Sequence, residues 1–280
     1  MIDTPVKNLS VVLVAHGGGD GSSVNREVDA RATRVATRLG GAEVRSAFLK
    51  GSPSLEVALN AARHSKRLII PLFMAEGFFV QRVWALAHAW RSAQPTRGDT
   101  WIEGPIGSHP AVLEALAQRI RDIVGVHHPA SAHDDAQVVL LVTGHGTAQH
   151  PGSGGTAEAA ALLLGRRLGL QTRLAFLDQD PCVEDVVSAV PAGARLIVIP
   201  FLWGGAGHAE FDLPTRVRHG LRRSPSGAAM QVSWLEPVGS LPVVDDLLVR
   251  VVLEAAHTNH WNRPSGQVVS EVREQGEVRR

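Results

Sequence analysis

The chain of 280 residues has a single cysteine, Cys182, so no disulfide can form within it. That excludes a disulfide-stapled scaffold and fits a reducing compartment. Neither sign of charge is in excess, with 28 Lys and Arg against 27 Asp and Glu and a net charge of +1. No strong field is available to draw in nucleic acid or a membrane surface, and neither is expected as a partner. No apolar run approaches the ~20 residues of a membrane span. The opening MIDTPVKNLS lacks a basic segment followed by a long apolar stretch, so no signal peptide is expected and the expected location is cytoplasmic. A P-loop signature is also missing, so no nucleotide is expected. What the chain does have is 44% hydrophobic and 20% charged residues, the balance of a soluble globular protein with enough length for two domains.

The chief positive signal is an internal repeat. VVLVAHGGG (11–19) recurs as VLLVTGHGT (139–147), and VRSAFLKGSPSLEVAL (44–59) as TRLAFLDQDPCVEDVV (172–187). RLIIPLFMAEGFF (67–79) recurs as RLIVIPFLWGGAGH (195–208), and PIGSHP (105–110) as PVGSLP (237–242). His145 lies 129 residues after His16, Phe176 128 after Phe48, Pro200 129 after Pro71 and His208 129 after Phe79. A register held across separate anchors marks a duplication.

Each copy alternates short β-branched apolar runs with amphipathic stretches. In the second copy, strands are predicted at 137–144, 171–177, 194–202 and 230–237, and helices at 155–168, from Asp180-Pro181 onward, at 211–223 and at 241–256. Asp180 is expected to cap its helix, with Pro181 at the first helical position. Strand–helix alternation gives parallel βαβ units. The fold class is therefore α/β: two tandem domains, each a doubly wound, mostly parallel four-stranded sheet flanked by helices. The expected boundaries are 1–126 for the first domain, 127–136 for a polar linker, 137–258 for the second domain and 259–280 for a polar tail.

Open parallel sheets bind ligands beyond the carboxyl ends of their strands. There the second copy places His145, Asp178 and His208, three metal-capable side chains from three strands. Two imidazoles and a carboxylate suit Co²⁺, Fe²⁺, Ni²⁺ or Zn²⁺, and three ligands leave positions open for transfer. Surrounding glycines, Gly146, Gly205 and Gly207 among them, let a bulky ligand approach the backbone. At the matching positions the first copy has His16, Lys50 and Phe79. Neither Lys50 as a cation nor Phe79 can coordinate a divalent ion, so that copy reads as a degenerate site whose His16 and Phe79 wall a flat ligand.

These residues resemble those of the sirohydrochlorin chelatase family, the class II, ATP-independent enzymes that insert cobalt or iron into a tetrapyrrole. The resemblance rests on Gly144-His145-Gly146, Ala175-Phe176-Leu177-Asp178, Pro200-Phe201-Leu202, and Gly207-His208 with Asp212-Leu213-Pro214. It covers the chain to about Ala256 and implies that His145 and His208 are the metal-binding pair. Asp178 stands where the family usually has a glutamate. The fused, two-unit form of the family implies a pseudo-dimer with the ligand cleft between its halves and less need to dimerise, so a monomer is expected.

The function so implied is insertion of Co²⁺ or Fe²⁺, with Ni²⁺ a further option, into sirohydrochlorin or a related anionic tetrapyrrole. The metal is substrate, and His145, His208 and Asp178 carry the chemistry, with imidazole as the natural base near neutral pH. Arg216, Arg218 and Arg82 are candidates for the macrocycle's acidic side chains. Glu76 and Trp203 are further candidates at the rims, as is Trp84. Two other readings stay open: a tetrapyrrole or metal carrier without turnover, and a different metal-dependent enzyme on the same scaffold. His127, His128 and His133 read as solvated linker histidines, His109 as local structure before Pro110, and His150 as a neighbour of the site in sequence. Cys182, near a helix start, is a position where a thiol pKa can be lowered, with a small buried residue as its other reading.

Overall fold

The computed structural model describes residues 5–19, 21–126, 137–147, 154–204, 211–225 and 227–257. The expected linker and tail lie outside them. In the first copy the elements are β1 (Leu9–Ala15), α1 (Ser23–Arg38), β2 (Glu43–Phe48), α2 (Leu55–Ala61), β3 (Lys66–Pro71), α3 (Phe78–Ala93), β4 (Thr100–Ile102) and α4 (Pro110–Val126). The second copy repeats them as β5 (Val138–Gly144), α5 (Gly155–Leu168), β6 (Gln171–Phe176), α6 (Val183–Ser188), β7 (Arg195–Pro200), α7 (Leu213–Arg223), β8 (Gln231–Trp234) and α8 (Val243–His257).

Both sheets are four-stranded and wholly parallel, in the orders β2-β1-β3-β4 and β6-β5-β7-β8. Central strands β1 and β5 are buried along their whole length, as befits a sheet covered on both faces. Strands β2 and β6 are half-buried until their last two residues, as edge strands are. Chain order reverses around β1 in the first sheet and around β5 in the second. The crevice past the carboxyl ends of β5 and β7 is therefore a topological switch point, and His145 follows β5 directly. A helix fits each crossover for a local reason. Ser22 caps α1 through its side chain, and Gly169 at φ +66° closes α5 with a left-handed turn only glycine adopts at little cost.

The helix after β6 starts later than the sequence suggests. Asp180 does not cap it and Pro181 is not its first residue; α6 begins at Val183 with Cys182 as N-cap, and the Asp180–Pro181 peptide is cis. The reason is that the Phe176 N–H donates to the Pro181 carbonyl at 2.9 Å, and Phe176 bridges to Cys182. The segment is thus held extended beside the end of β6 before a helix can form. The first copy does the same, with Phe48 N–H on the Pro53 carbonyl at 2.9 Å and Ser54 capping α2. At this cap the Cys182 thiol donates to Asp185 Oδ2 at 3.0 Å. That carboxylate holds the thiol pKa above its ordinary value, so the lowered thiol pKa considered for this position does not occur.

The compact units of the structure cut across the repeat. One unit gathers the described residues of Met1–Leu72, Phe79–Ile106 and Leu248–Arg280, and the other those of Phe73–Phe78 and Gly107–Leu247. Helix α4, the closing helix of the first copy, belongs to the second unit, where it packs on α5. Its Leu116, Ala117 and Ile120 are fully buried. Most of α8, the closing helix of the second copy, belongs to the first unit. Repeat and compact unit are different divisions of this chain. Among the described residues no helix is long and apolar enough to cross a membrane.

Candidate functional site

The loop after β5 is shaped by glycine and by the strand beside it. Gly146 takes φ +69°, and a Cβ there would lie 2.7 Å from Gln179 Cβ and 2.9 Å from Phe176 Cβ. The Asp178 N–H donates to the His145 carbonyl at 2.9 Å, and the Thr147 N–H to Gln179 Oε1 at 3.2 Å. His145 is thereby fixed at the rim with its side chain 46% exposed. Its Nδ1 lies 2.8 Å from the Gly146 carbonyl. A carbonyl can only accept, so Nδ1 carries the hydrogen and the lone pair is on Nε2, the usual setting of a metal-binding imidazole.

Asp178, the residue after Leu177 at the end of β6, reaches the same place. Its Oδ2 is 3.7 Å from His145 Nδ1, and its Oδ1 is 3.8 Å from Arg216 Nη2 on α7. Both are ion-pair distances rather than hydrogen bonds. Arg216 Nη1 also donates to Glu184 of α6, at 3.0 Å to Oε1 and 3.4 Å to Oε2. The structure therefore joins two expected site residues, His145 and Asp178. It also gives Arg216, expected at the macrocycle's acidic groups, two carboxylates of its own chain. Asp178 stands at the Nδ1 edge of the ring, where an anion balances the positive charge an imidazole gains on protonation or coordination.

The first copy keeps the backbone setting with different side chains around it. His16 Nδ1 is 2.8 Å from the Gly17 carbonyl, and the Lys50 N–H donates to the His16 carbonyl at 2.7 Å. Phe79 meets the His16 ring edge to face, with centroids 4.6 Å apart at 73°. The benzene ring thus packs on the His16 imidazole, and Phe79 is the residue that His208 matches in the repeat.

His208, Gly205, Gly207 and His150 lie outside the described residues, as do the linker histidines. Among the described residues there is no group of three metal-capable side chains. Trp203 is half-buried just past β7, and Glu76 is exposed on the segment Phe73–Phe78, which belongs to the same compact unit as His145. Arg82 is exposed, and Arg218 is tied to its own helix through the Pro214 carbonyl and Thr215. His109 Nδ1 accepts from the Ala111 N–H at 3.2 Å, a local role as expected. Sequence reasoning missed Gln179 and Glu184. Glu184 carried a signal, since it matches Glu56 at the same 128-residue offset as Phe176 and Phe48.

Comparison with known proteins follows the same two-fold division. The CbiX family profile matches residues 10–123 and again residues 139–255. A probable sirohydrochlorin cobaltochelatase of Halobacterium salinarum is 25% identical over 295 residues, covering 95% of this chain and 96% of its own. The structure of CbiX of denitrifying bacteria, the terminal enzyme for biosynthesis of siroheme, superposes with a TM-score of 0.64 at 26% identity, over 89% of this chain and 100% of that one. SirB from Bacillus subtilis with Fe³⁺ superposes with a TM-score of 0.71 at 18% identity, over 91% and 98% of the two chains, a likeness of fold.

Proposed function

The chain belongs to the CbiX family, and from that premise we propose that it is an ATP-independent metal chelatase inserting a divalent ion into sirohydrochlorin. The observation that carries the reading is the setting of His145. It stands at the switch point of the second sheet, with Nδ1 committed to the Gly146 carbonyl and a carboxylate 3.7 Å from that same nitrogen. The related proteins named above act in the same chemistry, as a cobaltochelatase in one case and in siroheme biosynthesis in another.

His145 would take the incoming ion through Nε2, with His208 as the second imidazole. Asp178 balances the added charge from the Nδ1 side. Insertion exchanges two pyrrole N–H bonds for bonds from nitrogen to metal, and two protons leave with no change of oxidation state. Once the ion has passed to the ring nitrogens, the vacated Nε2 of His145 is free to accept one of them, with Asp178 beside the ring to balance the charge, and solvent takes the other. Gly146, at φ +69° and with no Cβ to meet Gln179 and Phe176, lets the loop that carries His145 close tightly against the end of β6. Imidazole and carboxylate ligands serve Co²⁺, Fe²⁺ and Ni²⁺ alike; Co²⁺ and Fe²⁺ are proposed as the substrates.

The test is absorbance of sirohydrochlorin with Co²⁺, Fe²⁺ or Ni²⁺ and purified protein, beside His145→Ala and His208→Ala. Metal-dependent turnover that is lost in both variants supports the proposal. Binding of metal or macrocycle without turnover in wild type contradicts it and makes the protein a carrier.

A further inference from the structure

We propose that Arg216 is a positioning residue, held by Glu184 and acting through Asp178 to aim that carboxylate at His145. The inference rests on the chelatase reading and adds two residues to its site. Glu184, Arg216, Asp178 and His145 form one chain of contacts across four elements of a single compact unit. Each oxygen of Asp178 has its own neighbour, Oδ1 facing the guanidinium and Oδ2 the imidazole. A guanidinium's planar fork fixes the direction of what it pairs with, which a flexible ammonium does not.

The distances divide the labour. Arg216 is closer to Glu184, at 3.0 Å and 3.4 Å, than to Asp178, at 3.8 Å. Glu184 is also the less exposed partner, 18% against 53% for Asp178. Glu184 thus takes most of the guanidinium's charge, and Asp178 keeps enough of its own to attract a dication. A guanidinium without Glu184 would neutralise Asp178 and repel the metal.

The internal duplication supplies an independent comparison. Of the buried residues of α3, Val80, Val83, Ala87 and Trp90, the last three share the spacing of Leu213, Val217 and Gly220 in α7. In that register, which also brings the helix ends Ala93 and Arg223 together, Arg216 matches Leu86, one residue before Ala87. In that copy the acid is also gone, replaced by Lys50, while the glutamate is kept as Glu56. Acid and guanidinium are absent together, as expected if the arginine is there for the acid. A guanidinium beside Lys50 would only add repulsion.

The test is steady-state turnover and Co²⁺ binding by Arg216→Ala, Arg216→Lys and Glu184→Gln, each also made with Asp178→Ala. Thermal melts of each variant check that it is folded. The expected result is a fall in kcat of about tenfold or more for Arg216→Ala and Glu184→Gln, with KM for sirohydrochlorin within about twofold. Arg216→Lys recovers part of the loss. In the Asp178→Ala background, Arg216→Ala has no further effect, because a residue acting through another is non-additive with it. A raised KM with unchanged kcat would make Arg216 a substrate ligand and overturn the proposal. So would an equal loss in both backgrounds, or a lowered melting point with turnover intact. If wild type turns over no metal at all, the chelatase reading fails by itself. The positioning claim is then decided by Co²⁺ affinity, which must fall with Arg216→Ala only when Asp178 is present.

Discussion

Two histidines, His16 and His145, occupy one backbone setting, each with Nδ1 2.8 Å from the carbonyl of the following glycine. What separates them is their company. His145 has a carboxylate at 3.7 Å, and His16 has a phenyl ring packed against it with centroids 4.6 Å apart. Restoring the company should restore the site. Phe79→His combined with Lys50→Asp is expected to bind one more equivalent of Co²⁺ than wild type in equilibrium dialysis. An unchanged stoichiometry would show that more than these two side chains was lost. At this scale the sequence is informative about which residues matter and less so about what they touch. The repeat aligned His145 with His16 and Asp178 with Lys50, because both pairs sit at fixed places after matched strands. It could not show Arg216 turning toward Asp178 and Glu184, since that depends on the rotation of α7 about its axis, and a guanidinium near a rim looks equally suited to a carboxylate from a ligand.

Elements were legible wherever burial dictates composition. The run ARLIVIPFL reads as a strand covered on both faces, and β7 is buried throughout. Asp180-Pro181 misled because a hydrogen bond from Phe176 holds the chain extended there, and a cap motif in sequence carries no record of that bond. Equivalent strands also differ in ways a repeat hides. At the start of β2, the Glu43 side chain is 5% exposed, and in β6 its place is taken by Gln171. Burial raises the Glu43 pKa, but bonds from the Ser10 hydroxyl, the Arg63 N–H at 2.9 Å and Arg45 at 2.8 Å outweigh it and hold the carboxyl below the usual glutamate range. A folded-state pKa below the unfolded one means the carboxylate stabilises the fold above the ordinary range, and that this stability is lost as pH falls through the lowered value. Glu43→Gln should therefore be less stable than wild type at neutral pH, with the difference shrinking as pH falls through and below the ordinary glutamate range. Denaturant titrations across that range check it; a gap that widens in acid would contradict the cause given.

At the scale of the whole molecule, the sequence reads as two copies side by side, whereas the compact units exchange their closing helices. Helix α4 from the first copy buries Val112, Leu116 and Ile120 within the second unit, and α8 lends most of its length to the first. Periodicity shows that a helix has an apolar face but not which sheet that face meets, so the exchange leaves no mark in the sequence. It does have a consequence for folding. Residues 1–126 and 137–280 made separately should each lack a cooperative thermal transition, and mixing them should bring one back. Cooperative unfolding of 137–280 alone, at the temperature of the intact chain, would show that α4 is dispensable to the unit it joins.

The central claim is that metal insertion belongs to the second copy and passes through His145. The most direct test is the sirohydrochlorin turnover rate of His145→Ala beside His16→Ala, under saturating Co²⁺ and with both variants folded. The account predicts that His145→Ala loses activity by about a hundredfold or more, and that His16→Ala retains most of it. Equal losses in the two variants, or a greater loss from His16→Ala, would contradict it.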